Sequence, residues 1–491
     1  MRNKAVVKVL GILLVLFSIT LLPPLAVSAF AGDGATAPFG AALALTFALG
    51  AACWLPLRRH SGDLRLRDGF LVVVLAWSVL SAMGALPLAL LRAPTDGVAV
   101  GAAIGVIDAL FESMSGLTTT GATILVGLDD LPPSIRYYRQ QLQWLGGMGI
   151  VVLAVAVMPM LGVGGMQLYR AETPGAVKHD KPTPRITETA KGLWFIYLSL
   201  TIACAVCYRL AGMDWFDAVG HAFSTIAIGG FSTHDANLGY FASDAIYLVA
   251  CAFMLLSGLN FALHFTAFRS RRVAVYLRDP EARAYFALLA ATLAITVAML
   301  LRHRVFDDFG DNLVQGAVQV ISIVTTTGFT TAEFSQWPGF LPIMLLLAST
   351  AGGCAGSTAG GMKIIRMILL CKQGLREISK LVHPSALIPI KVGGKPVPDN
   401  VINAVWGFLS LYILSYVLLL LLMLASGADP VTAFSAVTAC LNNLGPGLGE
   451  VAQNYAGVSD MGKIVLTFAM LLGRLELFTL LVLLTPVFWK G

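Results

Sequence analysis

The feature that most constrains this chain is a short polar segment, centred on glycine, that recurs four times. Each copy follows an apolar stretch too short to cross a bilayer, and a membrane-length apolar helix comes next. The copies read Ser-Gly-Leu-Thr-Thr-Thr-Gly-Ala at 115–122, Ser-Thr-Ile-Ala-Ile-Gly-Gly-Phe at 224–231, Ser-Ile-Val-Thr-Thr-Thr-Gly-Phe at 322–329 and, most altered, Ser-Ala-Val-Thr-Ala-Cys-Leu-Asn-Asn-Leu-Gly-Pro at 435–446. Their key glycines are 109, 98 and 117 residues apart. This spacing predicts one ancestral unit repeated four times, and four units around an axis enclose a pore.

The composition indicates a membrane protein. Hydrophobic residues make up 57% of the 491 residues and charged residues only 12%, which excludes an ordinary soluble enzyme. The net charge of +6 does not indicate nucleic-acid binding, because the basic residues are confined to a few loops between apolar spans. The seven cysteines lie mostly inside apolar segments, which predicts free thiols and no structural metal.

Ten stretches are long enough to cross a hydrocarbon core of about 30 Å, which takes about 20 residues. They lie near 7–30, 36–57, 69–91, 141–166, 192–211, 244–268, 284–301, 338–371, 401–427 and 462–488. The first reads as a retained helix and not as a cleaved signal peptide, since no clear cleavage site follows it. A glycine segment follows the third, fifth, seventh and ninth spans, and each is preceded by about ten residues of helical character. Asp108 and Asp217 suit the first turn of such half-helices.

The fold class predicted from this order is an all-α polytopic membrane protein. Four pseudo-repeated units, each a helix, a pore loop and a second helix, surround one pore, and an N-terminal helix pair precedes them. The predicted boundaries are 1–68 for the helix pair, 69–191, 192–283 and 284–396 for the first three repeats, and 397–491 for the fourth.

The distribution of charge predicts the orientation in the membrane. The basic segments 57–65, 170–191, 269–283 and 363–395 all fall on the same side as the N-terminus, which makes that side cytoplasmic. The opposite loops carry the acids Asp96, Asp129, Asp130, Asp235, Asp307, Asp308, Asp311, Glu333, Asp429 and Glu450. The glycine segments would then open outward beneath an acidic rim that concentrates cations, although each acid taken singly also fits a solvated loop.

The chemistry of the four segments is that of a monovalent-cation filter. Backbone carbonyls can replace the water shell of a cation if the chain aims them at one axis, and glycine reaches the backbone angles that this requires. Threonine hydroxyls at 118–120 and 325–327 would lock the loops from behind. The segments lack carboxylates, which excludes a divalent-cation site. The predicted filter residues are Thr119, Thr120, Gly121, Ile228, Gly229, Gly230, Thr326, Thr327, Gly328, Asn443, Leu444 and Gly445.

A run of small residues at 351–361 interrupts the eighth span, and no continuous helix is expected there. It is not a nucleotide-binding phosphate loop, because no lysine followed by serine or threonine closes it and no strand precedes it. We expect a plug beneath the filter that moves to gate conduction, with close helix packing as the alternative. Arg474 lies deep in the tenth span, where it would bind plug carbonyls and repel cations, or pair structurally with Glu476 or backbone. The predicted gate residues are Gly352, Gly353, Gly356, Ser357, Thr358, Gly360, Gly361 and Arg474.

Several longer motifs resemble the Trk/Ktr/HKT superfamily of potassium transporters, in its bacterial TrkH branch. They are Leu-Gln-Trp-Leu-Gly-Gly-Met-Gly at 142–149, Leu-Tyr-Arg-Ala-Glu-Thr-Pro at 168–174, Arg-Ile-Thr-Glu-Thr-Ala at 185–190, the loop 352–363 and Leu-Asn-Asn-Leu-Gly-Pro-Gly at 441–447. The resemblance covers nearly the whole chain and implies one filter glycine per repeat. It maps these onto Gly121, Gly230, Gly328 and Gly445, and glycine at the first position argues for potassium over sodium.

The resemblance also implies a location and partners. It implies a multi-pass protein of the bacterial inner membrane that takes up potassium as its ion, with no organic cofactor. It further implies a homodimer with one pore per subunit, docked on a cytoplasmic ring of TrkA-like nucleotide-binding regulatory subunits. The expected contacts are therefore membrane lipid, a second copy and that ring, with no nucleic acid. The basic loops 170–191, 269–283 and 363–396 are the expected docking surface, or are simply topology signals.

Two rival functions are weighed against a gated potassium pore. A symporter that couples potassium to a proton or sodium needs a titratable site in the pathway, and Asp108, Glu112 and His221 are the candidates near the filter. An intramembrane enzyme needs clustered carboxylates, a His/Glu metal pair or an activated serine at membrane depth, and the sequence shows no such arrangement. The chain is therefore predicted not to be an enzyme.

Overall fold

Helices form nearly all of the ordered structure. A computed structural model describes residues 3–59, 66–91, 104–156 and 183–489. In these residues the helices are α1 (Asn3–Ile19), α2 (Leu22–Ala31), α3 (Thr36–Trp54), α4 (Leu66–Ala89), α5 (Val106–Leu117), α6 (Pro133–Ala156), α7 (Thr183–Leu210), α8 (Trp215–Ala227), α9 (Asp244–Ser257), α10 (Phe261–Ser270), α11 (Ala274–Arg278), α12 (Pro280–His303), α13 (Phe309–Val324), α14 (Leu341–Ser349), α15 (Ile364–Val382), α16 (Asp399–Ala425), α17 (Pro430–Leu441), α18 (Asp460–Arg474), α19 (Phe478–Leu481) and α20 (Pro486–Trp489). A two-stranded antiparallel hairpin, β1 (Lys391–Val392) and β2 (Lys395–Pro396), follows α15.

Four short helices, α5, α8, α13 and α17, precede the four glycine segments, as the sequence predicted. Local capping explains where two of them begin. The side chain of Asp214 accepts a hydrogen bond from the N–H of Asp217 at 2.7 Å, and Asp429 accepts one from Val431 at 2.9 Å. Asp108 and Asp217 lie in the first turns of α5 and α8, where the helix dipole favours a carboxylate.

Six helices among the described residues are long and apolar enough to cross a membrane, or eight if each of two bent pairs counts as one span. The structure corrects two of the ten predicted spans. The sixth and tenth are not straight, because α9 meets α10 at 95° and α18 meets the following helical segment at 109°. The eighth is broken, as expected, since α14 ends at Ser349 and the chain is non-helical until α15. The fourth predicted span, 141–166, lies partly outside the described residues.

The packing of the repeats closes a ring. In each repeat the helix after the glycine segment packs on the pore helix of the next repeat: α6 on α8, α9 on α13, and α14 on α17. The series closes because α18 of the fourth repeat packs on α5 of the first. The N-terminal helices α1 and α3 pack together and against α4, outside this ring. Leucines of α16 that are more than half exposed cover the outer surface, as is typical of a lipid-facing helix.

Candidate functional site

The four glycine segments share one backbone conformation. Thr119, Ile228, Thr326 and Asn443 all have positive φ, at 52°, 54°, 65° and 54°, and the glycine two positions later is also left-handed, at 81°, 80°, 85° and 98°. The residue between them donates its N–H to the carbonyl five positions earlier, at 2.7–2.8 Å in every copy. Non-glycine residues rarely adopt positive φ, so four equivalent occurrences indicate one inherited turn.

The four glycines also contact one another in a closed ring. A Cβ added to Gly121 would collide with the carbonyl oxygen of Gly229, and one on Gly230 with that of Thr327. A Cβ on Gly328 would meet the carbonyl oxygen of Leu444, and one on Gly445 would meet that of Thr120. The ring therefore requires glycine twice, for its backbone angle and for the close approach of the next segment. The structure brings all the predicted filter residues together in this ring.

Side chains brace the ring from behind. The hydroxyls of Thr118 and Thr120 lie 2.7 Å apart, and those of Thr325 and Thr327 lie 2.7 Å apart, as predicted. The second segment has no such threonine pair, and Gln143 of α6 takes its place. Its Nε2 donates to the Gly229 carbonyl at 2.6 Å and its Oε1 accepts from the Phe231 N–H at 3.1 Å. Sequence reasoning did not assign Gln143 a role, although it lies in the motif 142–149, because its partner is 86 residues away in the chain.

A second brace missed by sequence reasoning is the buried ion pair of Glu112 and Arg139. Arg139 Nε lies 2.7 Å from Glu112 Oε1, and the two side chains are at most 1% exposed. Arg139 also donates to the Ser232 carbonyl at 3.1 Å, while Glu112 accepts the N–H of Ile124 at 2.9 Å. The pair therefore ties the chain after the first filter glycine to the chain after the second. Removing either partner would leave the other charge buried and unpaired.

An outer cavity of about 660 Å³ opens onto the ring, and all four filter glycines line it. Asp235 and Glu333 of the predicted acidic rim line it as well, whereas Asp96 lies outside the described residues. At its edge, His234 contacts Asp217 at 3.1 Å and also Asp129, which joins the outer loops of the first two repeats. Burial alone would lower the pKa of His234, but its hydrogen bonds to Asp217 and Asp129 outweigh burial and raise that pKa.

The glycine-rich loop 350–363 lies against the opposite side of the ring. It contacts residues that precede the filter glycines: Gly360 N–H donates to the Thr326 hydroxyl at 2.7 Å, and Gly361 N–H donates to the Asn442 carbonyl at 3.1 Å. The hydroxyl of Thr358 donates to the carbonyl of Ile226 at 3.0 Å. One loop thus touches three of the four repeats where a pore must continue inward. Its predicted residues, Gly352, Gly353, Gly356, Ser357, Thr358, Gly360 and Gly361, are buried or nearly so.

Arg474 fastens this loop. It is 4% exposed, and its guanidinium donates to the Thr358 carbonyl at 3.1 Å and to the Gly146 carbonyl of the first repeat at 3.5 Å. The proposed pairing of Arg474 with Glu476 does not occur. Glu476 instead lies 2.5 Å from Arg366 of α15, because the helix ends at Arg474 and Glu476 has a left-handed φ of 53°. Sequence reasoning missed Arg366, and it also missed Glu281, which accepts the N–H of Ala355 at 2.7 Å.

The three titratable candidates for coupled transport each have protein partners. Asp108 lies 2.6 Å from the ammonium of Lys463, and Glu112 is the buried partner of Arg139. The two ring nitrogens of His221 contact the Asp217 carbonyl and the Ser232 hydroxyl, each at 2.9 Å. These groups hold the pore helices and loops in place. In the described residues, no group of three or more His, Cys, Asp or Glu could hold a metal ion.

Comparison with known proteins places this geometry in a family. The family profile TrkH, described as "Cation transport protein", matches residues 37–489. A Vibrio parahaemolyticus protein described as "Trk system potassium uptake protein TrkH" is 55% identical over 493 residues, covering 100% of both chains. An Escherichia coli protein of the same description is 50% identical over 490 residues, again with 100% coverage of both. The crystal structure of the potassium transporter TrkH from Vibrio parahaemolyticus superimposes with a TM-score of 0.91 at 52% identity and 100% coverage of both chains.

Proposed function

This chain belongs to the TrkH family of cation transport proteins, and from that premise we propose that it takes up potassium through a selective, gated pore. The observation that carries the proposal is the closed ring of Gly121, Gly230, Gly328 and Gly445. Relatives that match over their full length are described as Trk system potassium uptake proteins. A transport family also agrees with the prediction that the chain is not an enzyme.

The ring acts on a potassium ion that has shed its water. Main-chain carbonyls of the four segments replace the hydration shell, and the twelve predicted filter residues supply them. The C-terminal ends of the four pore helices lie next to these segments, and their partial negative charge favours a cation on the inner side of the ring. The absence of carboxylates from the four segments favours a monovalent ion over a divalent one.

The loop 350–363 is the gate in this proposal. Its contacts with three repeats support that role, since a closed loop there fills the path inward from the ring. Arg474 holds the loop by the Thr358 carbonyl and places a positive charge on the same path. Opening would break this contact and move both groups aside. Potassium at the filter is the transported ion, and the proposal includes no organic cofactor.

We further propose the assembly and orientation that the sequence indicates. The protein spans the bacterial inner membrane with its N-terminus in the cytoplasm, and the basic loops 269–283 and 363–396 face inward. A homodimer docked on a TrkA-like nucleotide-binding ring through these loops would carry the regulatory signal to the gate. The predicted loop 170–191 lies mostly outside the described residues. The repeat boundaries 1–68, 69–191, 192–283, 284–396 and 397–491 are part of the same proposal.

Growth of a bacterium lacking its own potassium uptake tests the function. The native chain should restore growth at low potassium, whereas Gly230→Leu should not, because its side chain would strike the neighbouring segment. Gly457→Leu is the matched control, since a Cβ at that position meets nothing within 4 Å. Growth restored by Gly230→Leu at normal membrane abundance would contradict the filter assignment.

A further inference from the structure

A groove beside the second repeat combines an apolar floor with a cluster of arginines. It has a volume of about 910 Å³ and lies between α7 and the chain that runs from the end of α9 to α11. Phe195, Leu200 and Ala203 of α7 form part of its floor, and Arg269, Arg271 and Arg272 line one end. The wall is fixed by His264, whose ring nitrogens contact the Tyr276 hydroxyl at 2.8 Å and the Leu256 carbonyl at 2.9 Å. These two contacts of His264 connect α10 to α11 and to the end of α9 along that wall.

The three arginines carry positive charge that the described protein does not neutralise. All three are exposed, and no ion pair within the described ranges engages any of them. Guanidinium groups bind phosphate oxygens through two parallel hydrogen bonds, so three of them within four positions form a strong anion-binding cluster. The occupant of this end of the groove should therefore be anionic.

The surroundings of the cluster indicate a membrane interface. Phe268, Val273 and Leu277 are 75%, 76% and 68% exposed, although all three are large and apolar. The bend of 95° between α9 and α10 turns α10 toward the membrane plane if α9 runs across the bilayer. A segment that mixes arginine with exposed phenylalanine and leucine and lies in the interface plane is typical of contact with lipid headgroups.

We propose that this groove binds an anionic phospholipid. The arginine cluster holds the headgroup phosphate, and an acyl chain lies along the α7 floor, which is continuous with exposed apolar residues such as Phe195 and Ile202. Charge complementarity selects an anionic headgroup over a zwitterionic one. An acidic protein partner fits this groove less well, since an apolar floor open to the lipid-facing surface of α7 suits a hydrocarbon chain. The docking role proposed above for loop 269–283 would then fall to its basic residues outside the groove, Arg278 and Arg283.

The bound lipid bears on the gate through a short path. The N–H of Phe261, the first residue of α10, donates to the Gly356 carbonyl at 3.1 Å, and the Gly258 carbonyl accepts the Cys354 N–H at 2.8 Å. Residues 258–261 therefore connect the groove wall directly to the loop 350–363. A lipid that holds α10 in place biases the loop toward one position, so anionic lipid should change transport as well as bind.

Native mass spectrometry of the full-length protein in detergent tests the binding. The probes are phosphatidylglycerol and phosphatidylcholine of the same acyl chains. The wild type should retain phosphatidylglycerol preferentially, and the triple variant Arg269→Gln, Arg271→Gln, Arg272→Gln should lose at least about tenfold in affinity for it. The matched control removes the same charge from other exposed cytoplasm-facing positions, Arg278→Gln, Arg283→Gln and Lys372→Gln, and should bind as the wild type does. Equal binding by the triple variant overturns the proposal.

A second variant separates a lipid from other anions. Ala203→Trp fills the floor and leaves the arginines in place, so it should weaken phosphatidylglycerol binding about as much as the triple variant does. Glycerophosphoglycerol, the headgroup without acyl chains, should fail to compete. Competition by that headgroup at equal concentration would identify a simple anion site and overturn the lipid assignment. Loss of dimers in the triple variant, with phosphatidylglycerol binding unchanged, would instead identify an interface between copies.

Discussion

At the residue scale, polar groups buried beside the ring of glycine segments act as fixed braces. Glu112 and Arg139 are 27 positions apart in the chain, yet each is almost fully buried and satisfies backbone groups on a different repeat. Such a pair is costly to bury, but breaking it is costlier still, because the remaining charge has no partner and little water. The pair therefore specifies how the first two outer loops sit together.

Arg139→Met should destabilise the protein by about 3–5 kcal/mol, because it leaves the Glu112 carboxylate buried without a counter-charge. Thermal unfolding of the detergent-solubilised protein measures the effect. The comparison is Arg376→Met, whose partner Asp399 is 76% exposed and which should cost no more than about 1 kcal/mol. Equal midpoints for the two variants would show that the Glu112–Arg139 pair does not brace the fold.

His234 should make stability depend on pH. Its pKa is raised in the folded state by Asp217 and Asp129, against the effect of burial, so its stabilising contribution is complete below its ordinary pKa. The contribution is lost as the pH rises through the raised value. Between about pH 6 and pH 9 the unfolding temperature of the native protein should fall more steeply than that of His234→Gln. Parallel curves for the two proteins would contradict the stabilising role of the contacts of His234 with Asp217 and Asp129. His234 also faces His221 and stacks on the ring of Tyr240.

At the element scale, the contact between α18 and the loop 350–363 is the one that the proposed gate would break on opening. Arg474→Ala removes the donor to the Thr358 carbonyl and a positive charge, so resting potassium flux in liposomes should rise several-fold. Selectivity should stay unchanged, because the ring itself is intact. Arg302→Ala, at an exposed end of α12, is the control and should leave flux unaltered. Unchanged or reduced flux in a folded Arg474→Ala protein would contradict the gate.

The elements show which parts of the fold the sequence could predict. Pore helices, glycine turns and the break at 350–363 were predictable, because length of apolar stretch and glycine content are local properties. The bends after Ser257 and Arg474 were not predictable, since hydropathy reports which residues are apolar and not the direction in which the chain runs. In the first bend Gly258 fits closely beside Tyr285, and in the second Leu477 takes a φ of 46°. Both depend on tertiary neighbours.

The pairing of side chains was the least predictable part of the site. Sequence reasoning expected Arg474 to bind carbonyls of the glycine-rich loop, or else to pair with Glu476 or backbone. Glu476 pairs instead with Arg366, 110 positions away. Gln143 was missed for the same reason, since its role depends on the packing of α6 on α8. The resemblance to the TrkH branch, by contrast, is confirmed over the whole chain by the relatives and the crystal structure.

At the scale of the whole molecule, four unequal repeats make one closed ring. Each repeat packs its second helix on the next pore helix, so residues from all four repeats form the ring of glycine segments that we propose as the filter. Changing any one glycine should therefore damage selectivity for the whole pore.

For the molecule as a whole, we expect potassium conduction that is not coupled to proton or sodium movement. The three titratable candidates for coupling, Asp108, Glu112 and His221, all have protein partners. The reversal potential in liposomes should follow the potassium gradient alone and ignore imposed proton or sodium gradients. In the Gly328→Ala variant an imposed sodium gradient should shift the reversal potential, whereas in the Gly457→Ala variant it should not. A shift of the native reversal potential with the proton or sodium gradient would favour coupled transport.

The most direct measurement is anomalous diffraction from crystals grown in rubidium chloride, since rubidium replaces potassium and scatters anomalously. The account predicts the strongest peak on the axis enclosed by Gly121, Gly230, Gly328 and Gly445, within coordination distance of main-chain carbonyls from all four segments. Rubidium bound elsewhere, with none inside the ring, would contradict it.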